Sequence, residues 1–195
     1  VPGDRRRWNE RYRGAEAGPP SSFLMDLDHL LPRSGSALDV AGGSGRHALW
    51  LAELGLDVTL VDVSDIGLEL AVAEARRRGV GVDALQRDLE SRGLPPGPWD
   101  VIVCFHYFHR PLFASFGDVL APAGLLICEI ATVRNLERHD RPPRPYLVEE
   151  GELRASVGGL DIVSYGEGWV DDDRHCARLV ARRSVPANRN DAQPV

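Results

Sequence analysis

The chain has no lysine; all 23 of its basic residues are arginine. The gap runs through the whole sequence, which marks a composition bias and not a property of one site. Cysteine is scarce as well. Cys104, Cys128 and Cys176 are odd in number and lie mostly in apolar stretches, which excludes a disulfide framework and fits a reducing compartment. No apolar run approaches the ~20 residues of a membrane span. None follows the Arg5-Arg6-Arg7 triplet as a signal peptide would require, so a cytoplasmic protein without membrane partners is expected. An excess of positive charge is missing too. The net charge of −6 gives no general attraction to nucleic acid. Arg5 to Arg7 are offset by Asp4 and Glu10, and Arg76 to Arg78 close a helix where cations suit the dipole. With no C-x-x-C or H-E-x-x-H spacing, Cys104, His106 and His109 make a poor metal site, and no metal is expected.

What is present is ordinary for a globular domain: 195 residues, 43% hydrophobic and 27% charged. Residues 1–183 read as one domain, monomeric or homodimeric, with 1–31 a helical lid. Residues 184–195 read as a polar, disordered tail. Helices are expected over Asp4–Arg13 and Ser22–Leu31. Alternation follows: strand Ala37–Val40, helix Arg46–Leu54, strand Val58–Val61, a helix capped by Ser64 and ended by Gly79, and strands Val82–Gln86 and Trp99–Phe105. A helix over Leu112–Leu120, a strand Gly124–Ala131, an irregular segment 132–148, a helix Glu149–Val157 and strands Leu160–Tyr165 and Ala177–Ala181 complete the chain. Continuous apolar strands separated by amphipathic helices specify a mainly parallel α/β sheet covered on both faces. The last two strands, joined by a short polar turn, are expected as antiparallel neighbours.

Chemistry concentrates at strand ends, where such sheets bind ligands. Asp39-Val40-Ala41-Gly42-Gly43-Ser44-Gly45 turns a strand into a helix, and its glycines let backbone approach a ligand closely. Asp62, followed by Val63, ends the second strand and can accept from both hydroxyls of a ribose; its other reading is a helix cap, a task Ser64 already covers. Asp88, followed by Leu89, ends the third and can accept from an adenine amine. Gly43-x-Gly45-x-x-Ala48 also satisfies the dinucleotide pattern, with Asp62 near the expected ~20 residues downstream. A dinucleotide, however, would place its pyrophosphate against Asp39 at the helix start. S-adenosylmethionine (SAM) carries a sulfonium and an ammonium instead, which Asp39 suits.

On these residues the sequence resembles the class I SAM-dependent methyltransferases, over roughly Trp8 to Arg182 by domain extent. LDVAGGSGRHALWLA is similar to the family's D-x-G-x-G-x-G motif, with Ala41 in the first glycine's place. VTLVDVS and QRDLES are similar to its ribose- and adenine-binding strand ends. LAPAGLLICEI is similar to its L-x-P-G-G-x-L stretch, with Ala123 replacing a glycine. The resemblance implies a Rossmann-like, seven-stranded sheet whose last strand is antiparallel, with SAM held by Asp39, Ala41, Gly42, Gly43, Gly45, Asp62, Val63, Asp88, Leu89 and Phe105. WNERY and the short chain resemble the tellurite-resistance and thiopurine methyltransferase branch, which implies a small, soft or anionic acceptor.

His106, Tyr107, His109 and Arg110 follow the fourth strand, and segment 132–148 carries Arg134, Arg138, Arg141 and Arg144. Long irregular segments are usually functional or disordered. His106, Tyr107 and Arg144 are the catalytic candidates. Trp8, Tyr12, His109, Arg110 and Arg134 are candidates for acceptor contacts, with Trp8 and Tyr12 in the lid and the arginines gripping an oxyanion. The plain alternative is that these arginines solvate a loop and that the histidines are packed or solvated. An NAD-dependent oxidoreductase and a SAM-binding protein without turnover remain competing readings of the whole chain.

Overall fold

The computed structural model describes residues 3–170 and 173–185; the end of the expected tail, 186–195, lies outside the described residues. The elements are α1 (Asp4–Tyr12), α2 (Ser22–Asp26), β1 (Ser36–Val40), α3 (Arg46–Glu53), β2 (Asp57–Asp62), α4 (Asp65–Arg78), β3 (Val82–Gln86), α5 (Leu89–Arg92), β4 (Trp99–Phe105), α6 (Arg110–Phe113), α7 (Phe116–Val119), β5 (Leu120–Ala131), α8 (Glu152–Ser156), β6 (Asp161–Val170) and β7 (Arg174–Arg182). They build one seven-stranded sheet in the order β3-β2-β1-β4-β5-β7-β6. The first five strands are parallel; β7 runs antiparallel to both β5 and β6.

Side chains alternate across a strand, and the two core layers follow that rule. Leu38, Val40, Ile102, Cys104, Leu126 and Cys128 face one layer with Leu112, Phe113, Phe116 and Leu153. Ala37, Val101, Val103, Leu125 and Ile127 face the other with Leu24, Ala48, Leu51, Leu68 and Ala71. Helices therefore cover both faces, as the apolar strands require. All three cysteines are buried and free. No helix among the described residues is long and apolar enough to cross a membrane.

α4 has the ends its sequence specifies: Ser64 Oγ accepts from the Gly67 N–H at 3.0 Å, and Gly79 closes the helix at φ 72°. Elsewhere boundaries moved. The expected helix Ser22–Leu31 is α2 followed by a 3₁₀ turn at Asp28–Leu30. The helix expected over Leu112–Leu120 is two single turns, α6 and α7, and Leu120 already pairs with Trp99 in the sheet. Between that pair and Val101↔Leu125 the ladder loops out Ala121 to Gly124, which frees Pro122 from donating to a ladder and so removes the apparent strand breaker. The helix expected over Glu149–Val157 shortens to α8, and the last two strands lengthen into a hairpin of ten and nine residues. Segment 132–148 is pinched at its base: Thr132 bridges to Val148, and Thr132 Oγ1 lies 2.8 Å from His175 Nδ1. At the far edge β3 pairs with β2 alone among the described strands, and four of its five residues are exposed.

Candidate active site

Parallel pairing sets Val40 opposite Val61, so β1 and β2 end at the same level and bring Asp39 and Asp62 together. Between β1 and α3, Ala41, Gly43 and Gly45 take φ of 54°, 59° and 78°. Every second residue of the turn is left-handed, which costs a residue with a Cβ about 1–2 kcal/mol. Ala41 carries that cost; the glycines do not. Gly42 is fixed by space: a Cβ there would lie 2.4 Å from both the Asp39 carboxylate and Leu60.

Asp39 is fully buried. Its Oδ2 accepts from the Ala48 N–H at 3.0 Å, while Oδ1 is buried without a hydrogen-bond partner. Burial, reinforced by Asp62, pushes its pKa up to about 7. A buried carboxylate with an unused oxygen is a place for a cation, so the donor set fits the charged end of SAM. Asp62 accepts from the Gly43 N–H at 2.9 Å and the Ser64 N–H at 2.7 Å, which ties the loop to α4. Burial still raises its pKa. Each oxygen keeps a lone pair for a hydroxyl donor. The Val63 carbonyl accepts from Gln86 Nε2, and Asp88 caps α5 through the Glu90 N–H. Leu89 is buried in the core, and the Phe105 ring packs between Phe23 and His47. Tyr12 covers Gly43, and Trp8 stacks on Tyr12 with ring centroids 6.0 Å apart.

The acceptor candidates scatter. Arg134 pairs with Glu137, Arg144 with Glu149 and Arg110 with Glu152, all at exposed positions. Arg134 and Arg144, expected to grip an anion, are thus paired at the surface, and Arg138 lies over the Trp169 ring at 3.6 Å. Tyr107 Oη and His109 Nδ1 are buried without a hydrogen-bond partner among the described residues, and Tyr107 lies near Glu90 and Asp88. His106 turns toward the sheet rim, beside Arg174 and Glu129. Its φ of +59° is held by its N–H donating to the Glu129 carbonyl at 2.9 Å.

Around His106 stand residues that the sequence reading missed. Arg46, Glu129, Arg174 and Arg178, with Pro19 to Ser22 and Val170, line a cavity of about 170 Å³ beside the glycine turn. Arg178 Nε donates to Glu129 Oε2 at 2.7 Å, and Arg174 Nη1 to His106 Nε2 at 3.3 Å. Glu129 Oε1 lies 3.9 Å from that imidazole. Arg46 makes no hydrogen bond or ion pair among the described residues, and burial lowers its pKa. Partial burial, with Arg46 and Arg174 nearby, takes the His106 pKa down to about 4. Three guanidinium groups thus face one carboxylate and a neutral imidazole. Two signals were readable: Glu129 is a charge inside the apolar run LLICEIA, and Arg46 is a cation at a helix N-terminus, where the dipole disfavours it.

A family model described as a methyltransferase domain matches residues 37–124. The ribosomal protein L11 methyltransferase of Thermus thermophilus is 36% identical over 144 residues, 73% of this chain and 52% of the relative. The ubiquinone biosynthesis O-methyltransferase of Rickettsia canadensis is 26% identical over 71% of this chain and 52% of its own. The chain thus spans about half the length of these curated relatives. Among solved structures, TehB from Haemophilus influenzae superposes with a TM-score of 0.71 at 17% identity, covering 85% of this chain and 63% of that one.

Proposed function

We propose that the chain transfers a methyl group from SAM to a small acceptor bearing an anionic group; residues 37–124 match a methyltransferase-domain model and the sheet shares the fold of solved SAM-dependent methyltransferases. The observation that carries this reading is the convergence of Arg46, Arg174 and Arg178 on a cavity of about 170 Å³ at the end of β5. Guanidinium groups grip carboxylates and other oxyanions through paired N–H donors. A cavity of that size, below the ~300–1,000 Å³ of pockets for drug-sized ligands, suits a small molecule.

When bound, SAM supplies an electrophilic methyl on a sulfonium. The chain's part is orientation and charge. Asp39 offers its unused Oδ1 to the cationic end, Asp62 its remaining lone pairs to the ribose, and Asp88 a carboxylate to the adenine. Holding two reactants in line is worth ~7–11 kcal/mol of the barrier. A soft nucleophile, such as a thiol or a tellurite-like oxyanion, needs no strong base. A hydroxyl or amine acceptor has His106 beside the cavity, behind Arg174 and Glu129 of its lining. Its Nε2 accepts from Arg174 in the resting structure, and an anion that draws Arg174 away would uncover that nitrogen.

Calorimetric titration with SAM, S-adenosylhomocysteine (SAH) and NADH tests the cofactor. Binding of SAM and SAH alone is expected; binding of NADH alone would return the chain to the oxidoreductase reading. Asp62→Ala should weaken SAH by about 1.5–3 kcal/mol, the worth of hydrogen bonds to a charged group, and unchanged affinity would remove Asp62 from the site. Acid acceptors should yield SAH faster than their neutral esters, and equal rates would sink the anionic pocket.

A further inference from the structure

The N-terminal helix lies on the ground that a cofactor needs. A Cβ built on Gly43 would stand 1.9 Å from the Tyr12 hydroxyl, and one on Gly67 would stand 3.0 Å from Tyr12 Cδ2. The ring is therefore wedged between the glycine turn and the first turn of α4. Burial, then the nearby Asp62, pushes its phenol up to about 12, so the hydroxyl stays neutral near the acid that holds the Gly43 amide.

The rest of α1 is fastened by polar contacts. Arg5 makes a bidentate pair with Asp65 at 3.0 and 2.9 Å. Asn9 Nδ2 donates to Asp65 at 2.6 Å, and Ser64 Oγ donates to Asn9 Oδ1 at 2.7 Å. Arg7 lies over the Tyr146 ring at 5.7 Å, which links the helix to segment 132–148. No residue of α1 is buried. An element docked through exposed ion pairs and one ring opens at low free-energy cost. It leads through Gly14, at φ +71°, into a stretch without regular structure up to Pro20.

We infer that α1 is a displaceable strap over the cofactor groove. In the cofactor-free protein Tyr12 fills the corner between Gly43, Gly67 and Asp62, and the strap swings out about residues 14–20 to admit SAM. The Asp65 contacts with Arg5 and Asn9 set how often it opens. This inference rests on the reading of the groove as a SAM site.

Stopped-flow binding of SAH, followed by intrinsic tryptophan fluorescence, tests it. For the natural protein the observed rate should level off as SAH rises, because opening limits entry. Arg5→Ala and Asp65→Asn should each raise that plateau about fivefold, the factor expected for loss of an exposed ion pair. Arg5→Ala touches neither the glycine turn nor the α4 cap, so it serves if Asp65→Asn does not fold. Rates that climb linearly with SAH and are equal in all three proteins would overturn the strap and leave the SAM reading standing. Absence of SAH binding in every protein would overturn the SAM reading and the strap with it.

Discussion

The two halves of the rim are built in different ways. On the β1–β2 side, Asp39, the turn from Ala41 to Gly45 and Asp62 fall within 24 consecutive residues, and much of the geometry is backbone: positive φ at alternate positions and amides held by carboxylates. On the β4–β7 side, Arg46, His106, Glu129, Arg174 and Arg178 come from four separate segments and meet only through side chains. On the proposed reading, a cofactor common to many enzymes is met by a local device that sequence can spell, and an acceptor particular to one enzyme by charges that the topology gathers.

The largest expected effect sets the cofactor side against stability. The pKa of Asp39 rises from 3.8 to about 7 on folding, so between those values the folded state binds more protons than the unfolded one. Stability should fall as pH rises from about 4 to about 7, by up to ~4 kcal/mol from this residue. Asp39→Asn should flatten that slope in urea titrations and bind SAH more weakly. An unchanged slope would mean that Asp39 ionises normally. On the acceptor side, Arg178→Ala strands a buried carboxylate and should cost about 2–3 kcal/mol of unfolding free energy. Replacing Glu129 and Arg178 together by leucine should recover most of it. If it does not, the pair serves the fold and not an acceptor. Arg144→Ala, which breaks only an exposed pair, should change stability by less than about 1 kcal/mol. The smallest gain is at the backbone: Ala123→Gly relieves a φ of +64° and should stabilise by about 1 kcal/mol, read as a raised Tm.

The same contrast decides what was legible. β4 starts and stops where its apolar run does, β3 spans Val82–Gln86 as expected, and Ser64 and Gly79 bound α4 as their chemistry specifies. The motif's glycine positions became φ values, and Ala41 and Ala123, which stand where the family has glycine, both take positive φ. The stretch from Leu112 to Leu120 misled because its apolar spacing suits a helix, whereas Leu120 is claimed by Trp99 across the sheet, a partner far off in sequence. Arg134 and Arg144 instead find acidic partners close by in sequence, Glu137 and Glu149, three and five residues away. Arg174 and Arg178 gave no comparable signal; only the hairpin that places β7 beside β5 brings them to Glu129.

The bare outer edge of the sheet has a consequence for how the protein behaves in company. β3 leaves one row of peptide groups open to solvent, and an open strand edge is a template on which a second chain can add. Here the edge is five residues long and carries Asp83 and Gln86. A short edge carrying a charge resists templating on this side of the sheet, whereas the opposite edge, β6, is ten residues long. Lengthening β3 or replacing Asp83 by an apolar residue would remove that resistance.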